Sequence, residues 1–365
     1  MRLAAHEWQA LDNRRDIARW DGLAGLVAEP NPFYESWYLL PALRVFATAD
    51  RVKLLCLEAG GQLLGLLPVH RKRRYYGHRV PHLTNWLHPN AFAGAPLVAK
   101  GYEHTFWHEL FAWADRHARE SAFLHLSQLP AEGPLHHAFN EVVAASKRPA
   151  TLVAGERRAM LCSALSPDAY LLESVGGKKR KELRRQQRRL SDEGELSVER
   201  SEAPDGLPEW IEDFLKLEQT GWKGARGSAL ASDTRTASLF REGLVGAAQR
   251  NRLQRLALRL DGRPIAMLAT FLCPPGAFSF KTTFDESLAR FSPGVLLQLE
   301  NLRMLERPAI AWTDSCAAAD HPMIDHIWRE RRILERHNVA IGGSARRLLF
   351  RVLAARETRS LRKAN

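Results

Sequence analysis

Cysteine is scarce in this 365-residue chain, and long apolar runs are missing from it. The four cysteines, Cys56, Cys162, Cys273 and Cys316, lie far apart and form no CxxC or Cys/His cluster. This spacing predicts neither a zinc site nor a disulfide framework. The first residues lack the apolar core of a signal peptide, and no run of about 18 apolar residues occurs. We therefore expect a protein of the reducing cytoplasm that has no transmembrane segment.

The composition is that of a soluble globular protein long enough for two domains, with 45% apolar and 26% charged residues. The net charge is +12. Residues 178–189 carry eight basic side chains and one acidic side chain, so this short stretch supplies more than half of the excess. The basic character is local. This distribution argues against a uniformly basic nucleic-acid-binding surface and allows an acidic partner or substrate.

The basic stretch "GGKKRKELRRQQRRL" (176–190) has the pattern of an amphipathic helix. Leu183 and Leu190 lie one heptad apart, opposite a basic face. Three interpretations remain open: a solvated helix face on a linker between domains, a basic rim that receives an anionic ligand, and a nucleic-acid-binding surface. The basic face consists of Lys178, Lys181, Arg184, Arg185, Arg188 and Arg189.

Two β-hairpins are predicted 201 residues apart. The first joins "VKLLCLE" (52–58) to "QLLGLLPVH" (62–70) through a Gly pair, and the second joins "LQRLALRL" (253–260) to "RPIAMLATFL" (263–272) through Asp-Gly. The common offset indicates a duplicated α/β unit. It aligns Leu55 with Leu256, Leu57 with Leu258, Gly61 with Gly262, Gly65 with Ala266 and Leu67 with Leu268.

Apolar periodicity predicts further elements between the hairpins. Residues 103–118 have helical spacing, and residues 122–129 alternate like a strand. A crossover strand is expected within 146–165, followed by a helix with Ser166 as N-cap. Three histidines, at positions 78, 82 and 88, are close in sequence, but their spacing and the lack of a nearby acid predict loop residues and no metal site.

Residues 277–305 predict a strand, a loop and a helix in succession. The loop ends in Ser292-Pro293-Gly294, with Arg290 just before it. A helix N-terminus of this kind presents backbone N–H groups and a favourable dipole, which would suit a pyrophosphate. An ordinary capped helix with nothing bound explains the same residues equally well.

Several segments together resemble GNAT-fold acyltransferases of the CelD-like and BioF2-like branch, related to the Fem-type aminoacyltransferases. The resemblance covers about residues 30–340. It is carried by "KTTFDESLARFSPGVLLQLENL" (281–302), "FLKLEQTGWKGARGSALASD" (214–233), "KKRKELRRQQRRLSDEGELSVE" (178–199), "NPFYESWYL" (31–39) and "AFAGAPLV" (91–98).

The resemblance implies an α/β fold of two tandem GNAT-like domains, with mixed sheets flanked by helices. We expect an N-terminal domain over 1–165, a basic linker helix over 166–191 and a C-terminal domain over 192–365 that holds the acyl donor. In this family the donor is usually an acyl-CoA, here expected to be acetyl-CoA. The pyrophosphate-binding turn matches Arg290, Phe291, Ser292, Pro293, Gly294 and Val295.

The resemblance also locates the candidate chemistry. The donor thioester of the family lies where the fourth and fifth strands separate, here 277–284 and 309–316. Direct attack on the thioester needs a general base, and we expect it among Asp285, Asp314 and Asp320, at or beyond the ends of these strands. Relatives often read Gly-Asp-x-x-Tyr-Lys after the fifth strand; Asp320 fits the Asp, but the Lys is missing.

Three further residues are expected to bind substrate: Trp222 and Lys223, in a Gly-flanked loop, and Lys281, on the polar face of the fourth strand. The sequence predicts a cytoplasmic acyltransferase, or one bound peripherally at the inner face of the membrane. It would act on an amine or hydroxyl of a small molecule, sugar, envelope or exopolysaccharide precursor, without a metal. An aminoacyl-tRNA-dependent Fem-like transferase and a non-catalytic GNAT-like binding module remain as alternatives. A nucleic acid, tRNA, is expected as a partner only for the aminoacyl-tRNA-dependent alternative.

Overall fold

The computed structural model describes residues 1–47 and 51–364, with side chains described as far as residue 357. The chain forms two compact units. The first comprises Met1–Glu156 and Ile333–Asn365, and the second comprises Arg157–Arg332. This division differs from the predicted domains at both boundaries. The last strand and helix belong to the first unit, and the basic helix belongs to the second unit instead of linking two domains.

The first unit is a mixed sheet with helices. Its strands are β1 (Arg2–Glu7), β2 (Lys53–Ala59), β3 (Gln62–Lys72), β4 (His82–Asn85), β5 (Leu97–Val98) and β6 (Phe123–Pro130). Its first four helices are α1 (Arg14–Ala24), α2 (Ser36–Phe46), α3 (Glu103–Arg116) and α4 (Pro134–Ala145). The strand β7 (Ala150–Leu161) then runs from the first unit into the second.

The second unit repeats this mixture. Its helices are α5 (Pro167–Ser174), α6 (Gly177–Ser191), α7 (Leu207–Thr220), α8 (Trp222–Ala225), α9 (Thr234–Ala248) and α10 (Pro293–Asn301). Its strands are β8 (Leu196–Ser201), β9 (Leu253–Leu260), β10 (Arg263–Cys273), β11 (Gly276–Phe284) and β12 (Trp312–Asp314). The chain returns to the first unit through β13 (Glu330–Ala340) and ends in α11 (Ser344–Ala364).

The two predicted hairpins form and share one register. Leu55 pairs with Leu67 in the first hairpin, and the equivalent Leu256 pairs with Leu268 in the second. Both two-residue turns have positive φ at both positions, Gly60 and Gly61 in one and Asp261 and Gly262 in the other. Such turns match the twist of the flanking strands. The offset of 201 therefore reflects a repeated structure and confirms the tandem α/β prediction.

Strand order is also alike in the two units. In the first unit β3 pairs antiparallel with β4, and β4 pairs parallel with β6. In the second unit β10 pairs antiparallel with β11, and β11 pairs parallel with β12. Each parallel pair is joined by a connection that contains a helix, α3 or α10, as parallel strands require.

Each unit has its own apolar core. In the first unit, Trp20, Phe33, Trp107 and Phe139 are at most 1% exposed. In the second unit, one cluster includes Leu183 of α6 and Trp328, and a second cluster includes Leu190 of α6 with Phe291 and Leu297. The two leucines of the predicted apolar stripe thus anchor α6 to the second unit. The remaining face of α6 carries its basic side chains.

Candidate functional site

Strands β11 and β12 of the second unit separate soon after they pair. Their parallel register covers Gly276 with Trp312, Ala277 with Thr313 and Phe278 with Asp314, and then stops. Beyond Phe278, β11 continues to Phe284 while paired only with β10. The strand edge from Ser279 onward therefore has no β12 partner. The predicted fifth strand, 309–316, is shorter than expected, because only residues 312–314 are extended and paired.

Lys281 lies on this unpaired part of β11 and is partly buried. Burial, and then the positive charge of Lys223, lower the pKa of the Lys281 ammonium to about 8. Removal from water disfavours the charged form, and a second cation nearby adds to the effect. Lys281 thus titrates close to physiological pH.

Lys223 is held in place by the protein. Its Nζ donates to Glu218 Oε1 at 2.7 Å and to the Thr282 carbonyl at 3.3 Å. Glu218 is 3% exposed, and its other oxygen accepts from the Leu230 N–H. The predicted loop at Trp222 and Lys223 is in fact the short helix α8. The ion pair with Glu218 fixes Lys223 beside β11.

Trp222 is the exposed member of this group, with 47% of its surface accessible. Its backbone N–H donates to Glu286 Oε1 at 2.8 Å, and the Arg226 guanidinium lies 5.2 Å from the centre of its ring. The segment before α10 is thereby tied to α8. The exposed indole is available to a ligand, and substrate binding by Trp222 stays a prediction.

The predicted pyrophosphate-binding turn, Arg290 to Val295, is called the donor turn below. It spans the end of a 3₁₀ segment, Glu286–Phe291, and the start of α10. Ser292 precedes α10 in the left-handed conformation (φ 54°, ψ 51°), and its side chain makes no capping hydrogen bond. Left-handed geometry is unusual for a non-glycine residue and marks a constrained turn. Pro293 begins the helix, as expected. Pro293 has no N–H, and the Val295 N–H donates to the Ser292 carbonyl at 2.9 Å, so the Gly294 N–H is the first-turn donor without an acceptor in the helix.

Gly294 is closely packed against side chains of the second unit. A Cβ at this position would lie 2.7 Å from Met323 Sδ and 3.0 Å from Phe284 Cδ1. Packing therefore favours glycine there, and its α-carbon faces these two side chains. Its N–H, as part of the first turn of α10, is the group through which it would contact a phosphate. Val295, the next residue, is partly buried and packs against the core that contains Leu183.

Arg290 is exposed on the same segment. Its guanidinium pairs with Glu193 at 2.9 Å and lies 4.6 Å from the centre of the Phe291 ring. Helix α6 adjoins this segment, since Gln186 Nε2 donates to the Arg290 carbonyl at 3.4 Å. The donor turn and the basic helix are thus neighbours within the second unit. That proximity was not evident from the sequence, where 104 residues separate the two.

Asp314 is completely buried, and its carboxylate is fully engaged. Oδ2 pairs with Arg158 at 2.5 Å and with Arg332 at 3.2 Å, and Oδ1 accepts from the Cys316 N–H at 2.9 Å. The Arg332 guanidinium also lies 4.1 Å from the centre of the Trp312 ring. The two guanidinium groups and the Cys316 N–H occupy both oxygens of the carboxylate. The geometry favours a structural role for Asp314; its role as a base stays a prediction.

The other predicted bases differ in accessibility. Asp285 caps the 3₁₀ segment by accepting from the Ser287 N–H at 2.9 Å, and it pairs with Arg263 at 3.0 Å. Asp320 is exposed, in left-handed conformation (φ 58°), and its carboxylate has no hydrogen-bond or ion-pair partner among residues 1–47 and 51–357. The neighbouring His321 has a lowered pKa, mainly because of burial, and a buried Nδ1 without a partner in the same range.

The structure also shows a potential metal-binding cluster that the sequence did not predict. His136, Glu335 and His337 of the first unit bring their ligand atoms within 4.8 Å of one another. The two imidazoles share one acceptor, since their Nε2 atoms lie 3.0 Å and 2.7 Å from Glu335 Oε2. Hydrogen bonds therefore account for the cluster. The 199 residues between His136 and Glu335 left no local signal for it.

None of the helices in the described part of the chain combines the length and the apolar character needed to cross a membrane. On α6, Lys178, Lys181 and Arg185 line a shallow surface depression together with Glu182.

Residues 177–321 match the model of the acetyltransferase (GNAT) domain family, and no curated protein matches the chain by sequence. The match spans α6, the donor turn, both separating strands and Asp320.

Among solved structures, FemX superposes with a TM-score of 0.56 at 10% identity, covering 93% of this chain and 98% of FemX. A conserved protein of unknown function from Bacteroides thetaiotaomicron gives 0.56 at 11% identity over 89% and 97%. The C-terminal domain of a putative lysylphosphatidylglycerol synthetase from Agrobacterium fabrum gives 0.51 at 14% identity over 92% and 94%. Residues 177–321 therefore match the GNAT acetyltransferase domain, and the chain has a tandem GNAT-like α/β fold similar to that of FemX.

Proposed function

We propose that the protein transfers an acyl group, in the first instance acetyl, from acyl-CoA to an amine or hydroxyl by direct attack. The observation that carries this proposal is the separation of β11 from β12 inside the segment that matches the GNAT acetyltransferase domain. A thioester placed in that gap would find unpaired backbone groups of β11 on one side. Such groups can stabilise the oxyanion that forms as the nucleophile attacks.

The donor would be held by the turn that runs from Arg290 to Val295. Its supports are the Gly294 N–H in the first turn of α10, the exposed Arg290 and the basic face of α6 beside it. A phosphate chain carries several negative charges, which suits a helix N-terminus and clustered cations.

The acceptor would be positioned by Lys223, Lys281 and Trp222. Among the predicted bases we favour Asp320, because its carboxylate is accessible and has no protein partner in the described range, whereas Asp285 and Asp314 are engaged. Positioning and proton removal together supply the catalysis that direct transfer requires. No metal takes part in this proposal.

The acceptor class follows from the family resemblance: a sugar, an envelope precursor or an exopolysaccharide intermediate, within polysaccharide biosynthesis in the cytoplasm or at the inner membrane face. The missing Lys after β12 makes an acceptor like that of the peptidoglycan-building relatives less suitable. Two cations at the site, Lys223 and Lys281, favour an acceptor that carries negative charge.

The test is a binding and turnover experiment on the full chain. Acetyl-CoA should raise the melting temperature in proportion to the logarithm of its concentration, and free thiol should be released when amino sugars or nucleotide sugars are added. Asp320→Asn should bind acetyl-CoA normally and lose transfer. Its matched control is Asp325→Asn, a neighbouring carboxylate to which we assign no catalytic role. If no acyl-CoA raises the melting temperature, the proposal that acyl-CoA is the donor is refuted.

Aminoacyl-tRNA is the second candidate donor. It is favoured by the tandem fold shared with FemX and by the exposed cations of α6. A protein that binds tRNA through this helix should lose affinity steeply as salt rises. Salt-steep tRNA binding without acyl-CoA binding would replace acyl-CoA as the donor and leave the acyltransferase class intact.

The non-catalytic alternative makes a separate forecast. A binding module would be stabilised by acyl-CoA or by a sugar ligand but would release no thiol with any acceptor. Turnover with one acceptor is enough to exclude it.

A further inference from the structure

The first unit contains a cavity of about 310 Å³ that the proposed transferase activity does not use. It lies beside the parallel pair β4 and β6. Basic, aromatic and hydroxyl side chains line it, including Lys72, Arg74, Tyr76 and Arg336. Two strand residues on the same face of β6, His125 and Ser127, also line it.

His125 and Ser127 are joined by a hydrogen bond. The Ser127 Oγ lies 2.8 Å from His125 Nε2. On the other side of the ring, His125 Nδ1 lies 2.7 Å from Asn338 Oδ1. The three side chains form one linear array in which a hydroxyl, an imidazole and an amide follow one another. This is the arrangement of an activated nucleophile, its base and a group that orients the base.

The surroundings of Asn338 decide the tautomer of His125. Asn338 Nδ2 donates to Tyr75 OH at 2.8 Å and to Glu357 Oε2 at 3.1 Å. A carboxylate accepts only, so the amide nitrogen must face Glu357 and the amide oxygen must face the imidazole. His125 therefore carries its proton on Nδ1. The lone pair on Nε2 points to Ser127, which must donate.

The backbone at Ser127 is also fixed in an uncommon way. The Asn85 side chain accepts from the Ser127 N–H at 2.9 Å and donates to the Ser127 carbonyl at 3.0 Å. The pairing of β6 with β13 is irregular here, and Gln128 has a positive φ of 56°. Bulges and left-handed non-glycine residues are concentrated at functional sites, where they re-aim a side chain.

His125 is in the neutral form that can accept a proton. Burial, as the main cause, lowers the pKa of this imidazole to about 4, so that it is neutral throughout the physiological range. The charged and titratable groups near it are Lys72, Tyr75, Tyr76, His82 and Arg336, and among them Lys72, His82 and Arg336 disfavour the imidazolium. The hydrogen bond to Asn338 opposes this effect.

We propose that Ser127 is a nucleophile, activated by His125 and oriented through Asn338, that takes an acyl group from an ester or thioester bearing a negative charge. Ser127 Oγ forms a bond to the acyl carbon while its proton passes to His125 Nε2. The bond from that carbon to the leaving oxygen or sulfur then breaks, and the leaving group takes the proton from His125. Water can repeat the sequence and release the acid. The cations Lys72, Arg74 and Arg336 would attract the negative charge.

The first test is covalent labelling of the full chain with a fluorophosphonate, which reacts with activated serines. Intact mass should show one adduct, located on the peptide that contains Ser127. Ser127→Ala should remove it. Ser146→Ala is the matched control, because the Ser146 hydroxyl bonds to the Val142 carbonyl and has no histidine partner; this variant should label as the wild type does. Labelling that survives in Ser127→Ala, or a wild type that is not labelled, overturns the proposal.

The second test follows p-nitrophenyl esters. His125→Gln should slow the release of p-nitrophenol roughly 100-fold or more, the usual contribution of a general base. Because the wild-type imidazole is neutral above about pH 4, the rate should hold between pH 7 and 5.5, where an ordinary histidine would become protonated. A rate that falls through pH 6.5 contradicts the assigned base.

A third arm addresses the substrate class and separates misfolding from loss of chemistry. The monoester of a dicarboxylic acid should react faster than the acetate ester, and Lys72→Gln should remove this preference without abolishing the acetate reaction. Each variant is accepted only if its melting temperature matches that of the wild type. Equal rates for both esters in the wild type would refute the anionic substrate.

Discussion

Asp314 gives the sharpest test of how the second unit is built. Asp314→Asn keeps the shape of the side chain and removes its charge. Arg158 and Arg332 are 3% and 7% exposed, so both guanidinium groups would stay buried while losing their ion pair with Asp314. Breaking a buried ion pair from one side costs about 3–5 kcal/mol. Typical domains have only about 5–15 kcal/mol of stability, so the variant should fold but be markedly weakened.

The assay must report on the second unit alone, because a chain of two units need not unfold in one step. Amide hydrogen exchange in β7 and β12 meets this need, since Thr313 pairs with Leu161 and Asp314 pairs with Met160. The free energies of opening at these amides should fall by about 3–5 kcal/mol. The control is Asp320→Asn, an exposed position where the change should stay within about 0.5 kcal/mol.

A second substitution separates a structural carboxylate from a catalytic one. Replacing Arg158 by Met in the Asp314→Asn background removes one of the two guanidinium charges that contact position 314. The double variant should be more stable than additivity predicts, by about 1–3 kcal/mol, the usual coupling between residues in one buried network. If Asp314→Asn leaves the exchange rates unchanged and abolishes acyl transfer, the carboxylate is a base and the structural reasoning is refuted.

The remaining predictions concern charge and packing in the second unit. Lys281→Met should stabilise the fold at pH 7 by up to about 3 kcal/mol, since a pKa lowered from 10.5 to about 8 measures the cost of burying the charge. In urea unfolding, this gain in stability should be present below pH 8 and disappear as pH rises from 8 to 10.5. A gain that does not depend on pH would contradict this cause. Gly294→Ala should destabilise by about 1–3 kcal/mol in thermal unfolding, because the new Cβ meets Met323 and Phe284; unchanged stability would show that these side chains move aside. A variant of α6 with four arginines replaced by Gln should fold normally, because exposed charges contribute little to stability and Gln favours helix. It should bind an anionic ligand with a weaker salt dependence than the wild type. A large fall in melting temperature would show that the basic face is structural. The four positions are Arg184, Arg185, Arg188 and Arg189.

Local sequence patterns predicted most of the secondary structure because the information is local. Alternation and a two-residue turn specify each hairpin, so the pairing of Leu55 with Leu67 and of Leu256 with Leu268 could be expected. Helix α6 follows from two leucines one heptad apart, and α5 begins at Pro167, with the Ser166 side chain accepting from the Ala169 N–H at 3.3 Å.

Contacts between distant residues could not be predicted in this way. Asp314 looked like a residue at a strand end, and its partner Arg158 lies 156 positions earlier. His125 and Asn338 are 213 positions apart and show no common pattern. Only the pairing of strands brings such residues together, and periodicity within one strand does not specify its neighbours. The division of the chain into units has the same cause, since β13 pairs with β6 of the first unit.

The two units illustrate how one topology can support different chemistry. Each has a parallel strand pair that follows an antiparallel hairpin, and in each the pair is short: three residue pairs in β11 and β12, and two in β4 and β6. Where such a pair ends, side chains and backbone groups of both strands face a gap. In the second unit Lys281 and the turn before α10 lie near that gap, which suits an anionic donor.

In the first unit the corresponding position carries His125 and Ser127, which suit proton transfer and nucleophilic attack. A fold of this kind supplies the location of a site, and the residues at the strand ends supply its reaction. A labelled Ser127 in a protein whose acyl-CoA site has been disabled by substitution would therefore show two independent sites. Labelling that depends on an intact acyl-CoA site would instead mean that the first unit has no independent chemistry, and the two strand pairs would be a structural repeat only.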